Sequence, residues 1–361
     1  MNVPTPPLRP SAPTDIAELC DELFAAAADE ERGTRSIARS IDLLRRAGAL
    51  TQDGASDPLQ AARLLMRVGA ANLPVGRLFE GHMNALRLIR LYGSDTQQRS
   101  TTQLLDNGGF FGVWGADGPV PVTLKDSPTP VLDGSKNFAS GLGTVTHALV
   151  TVNSGPEVRL ALIGVTDPAR ADLSGWNMLG MQATASGSYD FSGLPAQQIE
   201  WIGVPGDYLQ EPHFVGGVWR IAALQAGAAA GLLDQAAATL RQMGRMQAEA
   251  QRTRLMTALM QVWAGMALTE RAAQASIAER PAERIVSTSI SARLLTEEAA
   301  LGAIKAVEQS LGLRHFDSDS PTGRMARDLS VYLRQAARDA FLQRAADHAL
   351  GQDGTVWGVF D

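Results

Sequence analysis

The chain has 361 residues, 45% hydrophobic and 19% charged, an ordinary globular composition with enough length for two or three units around a sizeable shared core. Its formal net charge is −6 and its 32 Lys and Arg are scattered, so it lacks the basic footprint of a nucleic-acid binder. The single cysteine, Cys20, excludes an intramolecular disulfide or a cysteine-based metal centre. It also predicts a reducing, cytoplasmic setting.

No stretch approaches the roughly 20 apolar residues of a membrane span, and no signal-peptide core is present. A soluble chain is expected. Residues 1–14 read as a Pro-rich arm, followed by a helical N-terminal domain over 15–107. Asp15 caps the first helix, with Glu18 placed to complete a capping box, and Ile16, Leu19, Cys20, Leu23 and Phe24 share one helical face. A second helix is predicted over 34–47, ending at Gly48. A third opens at Asp57 with Pro58 in its first turn and runs to about Val68. The fourth, Leu78 to Tyr92, closes on Gly93, which the pattern predicts to be a left-handed cap.

From 108 to 205 the composition shifts to Gly, Pro, Val, Thr and an Asp-Gly turn, which predicts short antiparallel strands. These are FFGVWGAD at Phe110–Asp117, VLDGSKNFASG at Val131–Gly141, HALVTV at His147–Val152, RLALIGV at Arg159–Val165 and WNMLGMQATASGSYDF at Trp176–Phe191. From 206 to 361 the chain turns helical again, with segments predicted near 217–249, 253–279, 283–311 and 324–349. Their Ala-rich faces and short breaks suit an antiparallel four-helix bundle. Gly227 and Gly231, one turn apart, predict close packing of two soluble helices, since charged residues flank them. The fold class is therefore α+β: a helical domain, a small antiparallel β-barrel and a helical bundle.

This order resembles the acyl-CoA dehydrogenase family, and the resemblance covers nearly all of the chain after residue 14. It implies FAD, an acyl-CoA thioester as substrate, an electron-transfer flavoprotein as acceptor, and a homo-oligomer, dimer or tetramer. The helix GRLFEGHMNALRLIRLYGS is similar to the family's helix at the acyl pocket, which assigns Glu80 and Gly81 to that pocket. Taken alone, Glu80 reads as a solvated carboxylate and His82 as a satisfied helix histidine. Gly81 in mid-helix costs about 1 kcal/mol relative to Ala, which suggests something packed closely on the backbone. The resemblance gives Val113 and Trp114 a backbone contact with the flavin edge. Phe138 covers the ring and Ser140 donates toward it. In the GMQ segment the family's Arg is replaced by Gln182. Arg245, Gln309 and Gly312 fall where relatives meet a neighbouring subunit's FAD, with Leu313 in place of a second Gly.

Catalysis is the main departure. Arg327-Asp328 matches the start of the family's segment that carries the proton-abstracting glutamate, but the Glu position falls at Ala336. A methyl group accepts no proton. Trp219-Arg220-Ile221, where other members carry the base, has no Glu either. The weak candidates that remain are Asp339 and His82. The five histidines show no metal-binding spacing, and no dinucleotide-binding, P-loop or nucleophile-elbow motif appears. The favoured reading is acyl-CoA oxidation. A flavin-dependent monooxygenase of the same fold, which needs no carboxylate base, and a catalytically degenerate subunit of a hetero-oligomer are the alternatives.

Overall fold

A computed structural model of the chain describes residues 15–125, 128–351, 354 and 356–358. The Pro-rich arm at 1–14 lies outside the described residues. The N-terminal helices are α1 (Ile16–Glu31), α2 (Ala38–Arg46), α3 (Pro58–Ala71), α4 (Leu73–Tyr92) and α5 (Asp95–Asp106). Asp15 caps α1 by accepting from the Ala17 N–H, without the Glu18 arm of a capping box. The Asp57 cap and Pro58 stand as predicted. Helix α4 starts earlier than its apolar pattern suggests, because Asn72 caps it through the Val75 N–H and Pro74 is tolerated in the first turn. Gly93 ends α4 in an extended conformation (φ −78°, ψ 146°), not a left-handed one. The reason for glycine there is steric: a Cβ would lie 2.5 Å from the Ile89 carbonyl oxygen.

The strands form two sheets. The larger holds β1 (Phe111–Trp114), β2 (Thr123–Lys125), β3 (Val131–Asp133), β5 (His147–Ser154), β6 (Glu157–Gly164) and β9 (Glu200–Ile202), in the order β3-β2-β5-β6-β9 with β1 also on β5. The smaller is β4 (Ser135–Ala139), β8 (Gly187–Asp190) and β7 (Ala171–Asp172), in the order β4-β8-β7. Two expectations are corrected here. Strands β1 and β2 run parallel to β5, so the region is not purely antiparallel. Asp133-Gly134 is not a hairpin turn; it hands the chain from one sheet to the other, since β3 pairs with β2 and β4 with β8. Gly134 holds φ 106°, and a Cβ would fall 2.4 Å from the Pro121 oxygen, so only glycine fits that crossover.

The C-terminal helices are α6 (Trp219–Gln242), α7 (Glu249–Ala275), α8 (Ala282–Leu311), α9 (Pro321–Tyr332) and α10 (Arg338–Leu350). The segment expected as one helix over 324–349 is broken between Tyr332 and Arg338, with Ala337 left-handed at φ 61°. Side chains take up the carbonyls that the break frees: Gln335 Nε2 donates to Tyr332 O, and Arg293 Nη1 donates to Ala336 O at 3.2 Å. The small residues of α6 meet α3. A Cβ on Gly227 would lie 2.0 Å from Met66 O, and one on Gly231 would lie 2.4 Å from Ala70 O. The close helix packing expected there is present, and it joins the N-terminal helices to the bundle. Among the described residues the largest apolar cluster runs from Leu19 through Phe110, Val150 and Leu224 to Leu333, with a smaller one around Ile89, Phe111 and Leu149 and another around Val286 and Ile290. Among the described residues no helix is long and apolar enough to cross a membrane.

Candidate functional site

Helix α9 ends between two cavities. The first, about 210 Å³, lies between α4, the start of α6, β1 and the α9–α10 break, lined among others by Arg77, Glu80, Gly81, Val113, Arg220 and Tyr332. Helical spacing puts Glu80, Asn84 and Arg87 on one face of α4, and that face meets Arg220 from α6. The Glu80 carboxylate is buried and shared by two cations, Arg77 Nη1 at 3.1 Å and Arg220 Nε at 3.3 Å. Arg220 Nη2 donates to Asn84 Oδ1 at 2.6 Å, while Arg220 Nη1 and the Tyr332 hydroxyl are buried without a hydrogen-bond partner. Behind them Arg87 donates from Nη2 to His213 Nδ1 at 3.4 Å, and its Nε has no partner. Burial, and then the charge of Arg220, push the Arg87 guanidinium down to about 10. It remains a cation at neutral pH. Burial and then Arg87 hold His213 below the usual histidine range, which leaves its Nδ1 free to accept. A third hollow of about 580 Å³ shares Gly115, Tyr208, Phe214 and Gln335 with this arginine cavity and takes in Ala336 and Arg293.

On the other side of α9 is a cavity of about 690 Å³, lined by Phe138, Trp176, Met178, Leu179, Phe316 and Val331, with Arg327, Arg334 and His315 also on its wall. Phe138 is 61% exposed, Leu179 81% and Phe316 66%, a clustering of bare apolar surface that marks a binding face more than a packed wall. Among the described residues, four non-glycine residues have positive φ: Phe138, Met181, Ala185 and Ala337. Phe138 lines the aromatic cavity, Met181 and Ala185 belong to the loop beside it, and Ala337 follows Ala336 in the α9–α10 break. Such backbone costs of order 1–3 kcal/mol per residue and collects at functional sites.

The loop carrying Met181 is fastened to α9. Asp328 accepts from the Met181 N–H at 2.5 Å and lies 3.5 Å from Arg324 Nη1. Gly180 packs so tightly on α9 that a Cβ would sit 2.3 Å from Arg327 O. Burial pushes the Asp328 carboxyl up to about 6, against the Met181 hydrogen bond. Ser140, Ser186 and Thr184 form a buried hydroxyl chain with links of 2.8 and 2.7 Å. Ser140 reaches the Phe138 carbonyl only at 3.5 Å, the outer limit of a hydrogen bond, so its proton is nearly free.

Several residues singled out in the sequence fall elsewhere. His82 is a core residue: its Nδ1 accepts from the Phe111 N–H at 3.0 Å, so Nε2 carries the proton and donates to Leu50 O at 2.8 Å. Both nitrogens are spent, and burial pushes its pKa down to about 4. It has no free group for catalysis. Asp339 is 95% exposed at the start of α10 and lies 3.6 Å from Arg338, away from both cavities. The Trp114 side chain is buried and donates from Nε1 to Ser140 O, while Val113 lines the arginine cavity. Glu80 is not solvated, and what packs over Gly81 is the Arg77 guanidinium, 3.2 Å from where a Cβ would stand. Gln309 and Gly312 are exposed at the end of α8, next in sequence to Glu308 and near His315 of the aromatic cavity. Arg245 is exposed just past α6. Arg77, Arg87, Arg220, Trp176, Val331 and Arg334 were missed. Arg87 and Arg220 offered one signal, a cation between apolar neighbours in a helix, but not the partner that gives it meaning. Among the described residues no group of three His, Cys, Asp or Glu could hold a metal ion.

No protein-family model matches the chain. Dibenzothiophene monooxygenase from Rhodococcus qingshengii is 26% identical over 212 residues, 53% of this chain and 51% of that protein. The matched part of the chain thus spans about half the length of this curated relative. The solved dibenzothiophene monooxygenase TdsC from Paenibacillus sp. A11-2 superposes with a TM-score of 0.80 at 20% identity, over 92% of this chain and 95% of that one. Structures of TdsC hold FMN, and FMN with indole. The methanesulfinate monooxygenase MsuC from Pseudomonas fluorescens superposes with a TM-score of 0.77 at 17% identity, over 97% and 100% of the two chains. At these identities the likeness is one of fold: the chain has the fold that these solved monooxygenases share.

Proposed function

We propose that this chain is a flavin-dependent monooxygenase, with FMN as the flavin, held in the aromatic cavity. The observation that carries the reading is the Phe138 wall: an exposed aromatic ring on positive-φ backbone, facing an apolar hollow with cations on its edge. Phe138, Trp176 and Val331 suit a planar tricyclic ring, and Arg334 suits a phosphate, with His315 and Arg327, whose Nη2 also holds Glu31 at 2.9 Å, beside it and Glu308 on the same wall. A volume of about 690 Å³ is within the range for such ligands. A reduced flavin supplies the electrons that activate dioxygen for transfer of an oxygen atom to substrate.

The chain's own residues then bind, orient and exclude water. Ser140, anchored by Ser186, is the hydroxyl offered to the ring edge. The Asp328–Met181 hydrogen bond keeps the β-sheet loop seated on α9. The arginine cavity beyond the end of α9 is suited to hold the part of the substrate that does not meet the flavin. FMN leaves the adenine-side roles of Arg245, Gln309 and Gly312 unneeded, and their use by a partner subunit belongs to the FAD alternative.

Acyl-CoA oxidation, the reading favoured from the motifs, gives way to the monooxygenase. Thioester α-proton removal needs a carboxylate within reach of the substrate. Ala336 carries a methyl group, Asp339 points to solvent, and Glu80 is engaged by two arginines. The test is anaerobic mixing of FMN-loaded protein with straight-chain acyl-CoAs. Unchanged flavin absorbance is expected; bleaching would restore the dehydrogenase.

A further inference from the structure

The arginine cavity is out of charge balance. Arg77 and Arg220 line it, Arg87 stands behind His213 of its wall, and among the described residues a single carboxylate, Glu80, touches two of the three. No carboxylate touches Arg87 among the described residues; its ring partner His213 is neutral in this arrangement. The remaining titratable groups on the wall, Tyr208 and Tyr332, are held protonated by burial and add no negative charge. Arg220 is only 4% exposed, yet its Nη1 has no partner, as is true of Arg87 Nε and the Tyr332 hydroxyl. Uncompensated buried charge and unmet buried donors are costly, and a purely structural cluster would satisfy them.

Glycine holds this arrangement open. Gly217, on the cavity wall, lets the Arg220 guanidinium lie against its backbone: a Cβ there would fall 2.9 Å from Nη2 and 3.1 Å from Nη1. We propose that the arginine cavity binds the oxyanion group of the substrate, a carboxylate, sulfinate or sulfonate, through Arg220 Nη1 and the Tyr332 hydroxyl, in the field of Arg77 and Arg87. That the oxyanion belongs to a substrate rests on the monooxygenase reading. The binding site itself rests on the geometry.

Calorimetric titration of the FMN-free and FMN-loaded protein tests it, with benzoate and methanesulfonate as probes and benzamide and methanesulfonamide as neutral counterparts. The anions should bind saturably and the neutral molecules roughly tenfold or more weakly. Arg220→Gln should weaken anion binding by roughly ten- to a hundredfold, with partial rescue in Arg220→Lys. Gly217→Ala keeps every charge and should weaken it as well, by displacing the guanidinium, so a folding defect in Arg220→Gln does not leave the question open. Equal binding of anion and amide, or unchanged anion affinity in both Arg220→Gln and Gly217→Ala, overturns the proposal. So does competition between the anions and FMN, which would make the cluster a seat for the cofactor phosphate. Anion binding without FMN binding would sink the monooxygenase reading alone; FMN binding without anion binding would sink this one alone.

Discussion

His82 and Asp328 are buried ionisable residues whose shifts act in opposite directions on stability. His82 titrates near 4 in the fold against about 6.5 when unfolded, so its contribution is present above about pH 6.5 and is lost as pH falls toward 4. The shift corresponds to about 3 kcal/mol. Asp328 titrates near 6 against about 3.9 unfolded; its contribution is present at low pH and is lost as pH rises through 6. That too is about 3 kcal/mol, so the two slopes largely cancel between about pH 4 and 6. Asp328→Asn removes one of them. Urea unfolding at about pH 4.5 and 7 should show the variant losing stability in acid more steeply than the parent. Parallel losses would mean that Asp328 is not the proton-binding group described.

Among the elements, the α3–α6 contact depends most on glycine. Gly227→Ala drives a Cβ into the Met66 backbone, which cannot swing aside as a side chain could, and should destabilise by roughly 1–3 kcal/mol. Gly302 in α8 is the control, because nothing lies within 4 Å of its Cβ position. Gly302→Ala should stabilise by up to about 1 kcal/mol through helix propensity. Urea midpoints that move together, or in the reverse order, would contradict the packing described. This contact was legible in advance: Gly227 and Gly231 at one-turn spacing point to helix packing whatever the partner. The α9–α10 break was not, because Leu333 to Ala337 contains neither Gly nor Pro, and the break is held by Arg293, distant in sequence.

For the whole molecule, the order of helices, strands and helices could be read from composition and periodicity, since each region has its own. Which sheet each strand joins could not: the pattern at Asp133-Gly134 is that of a hairpin, whereas β3 pairs with β2 and β4 with β8, a partner some fifty residues on. Of the residues that line the two cavities, the resemblance pointed to Glu80, Gly81, Val113 and Phe138. It did not point to the arginines, because their meaning lies in Arg220 of α6 meeting Glu80 and Asn84 of α4 across the chain. These features support the central proposal, a flavin held between the Phe138 wall and α9. The most direct test is fluorescence titration of FMN with the parent protein and with Val331→Trp, which fills the cavity from α9. Saturable quenching in the micromolar range, lost in a folded Val331→Trp, is the predicted result; no saturation in the parent, or equal affinity in both, would contradict it.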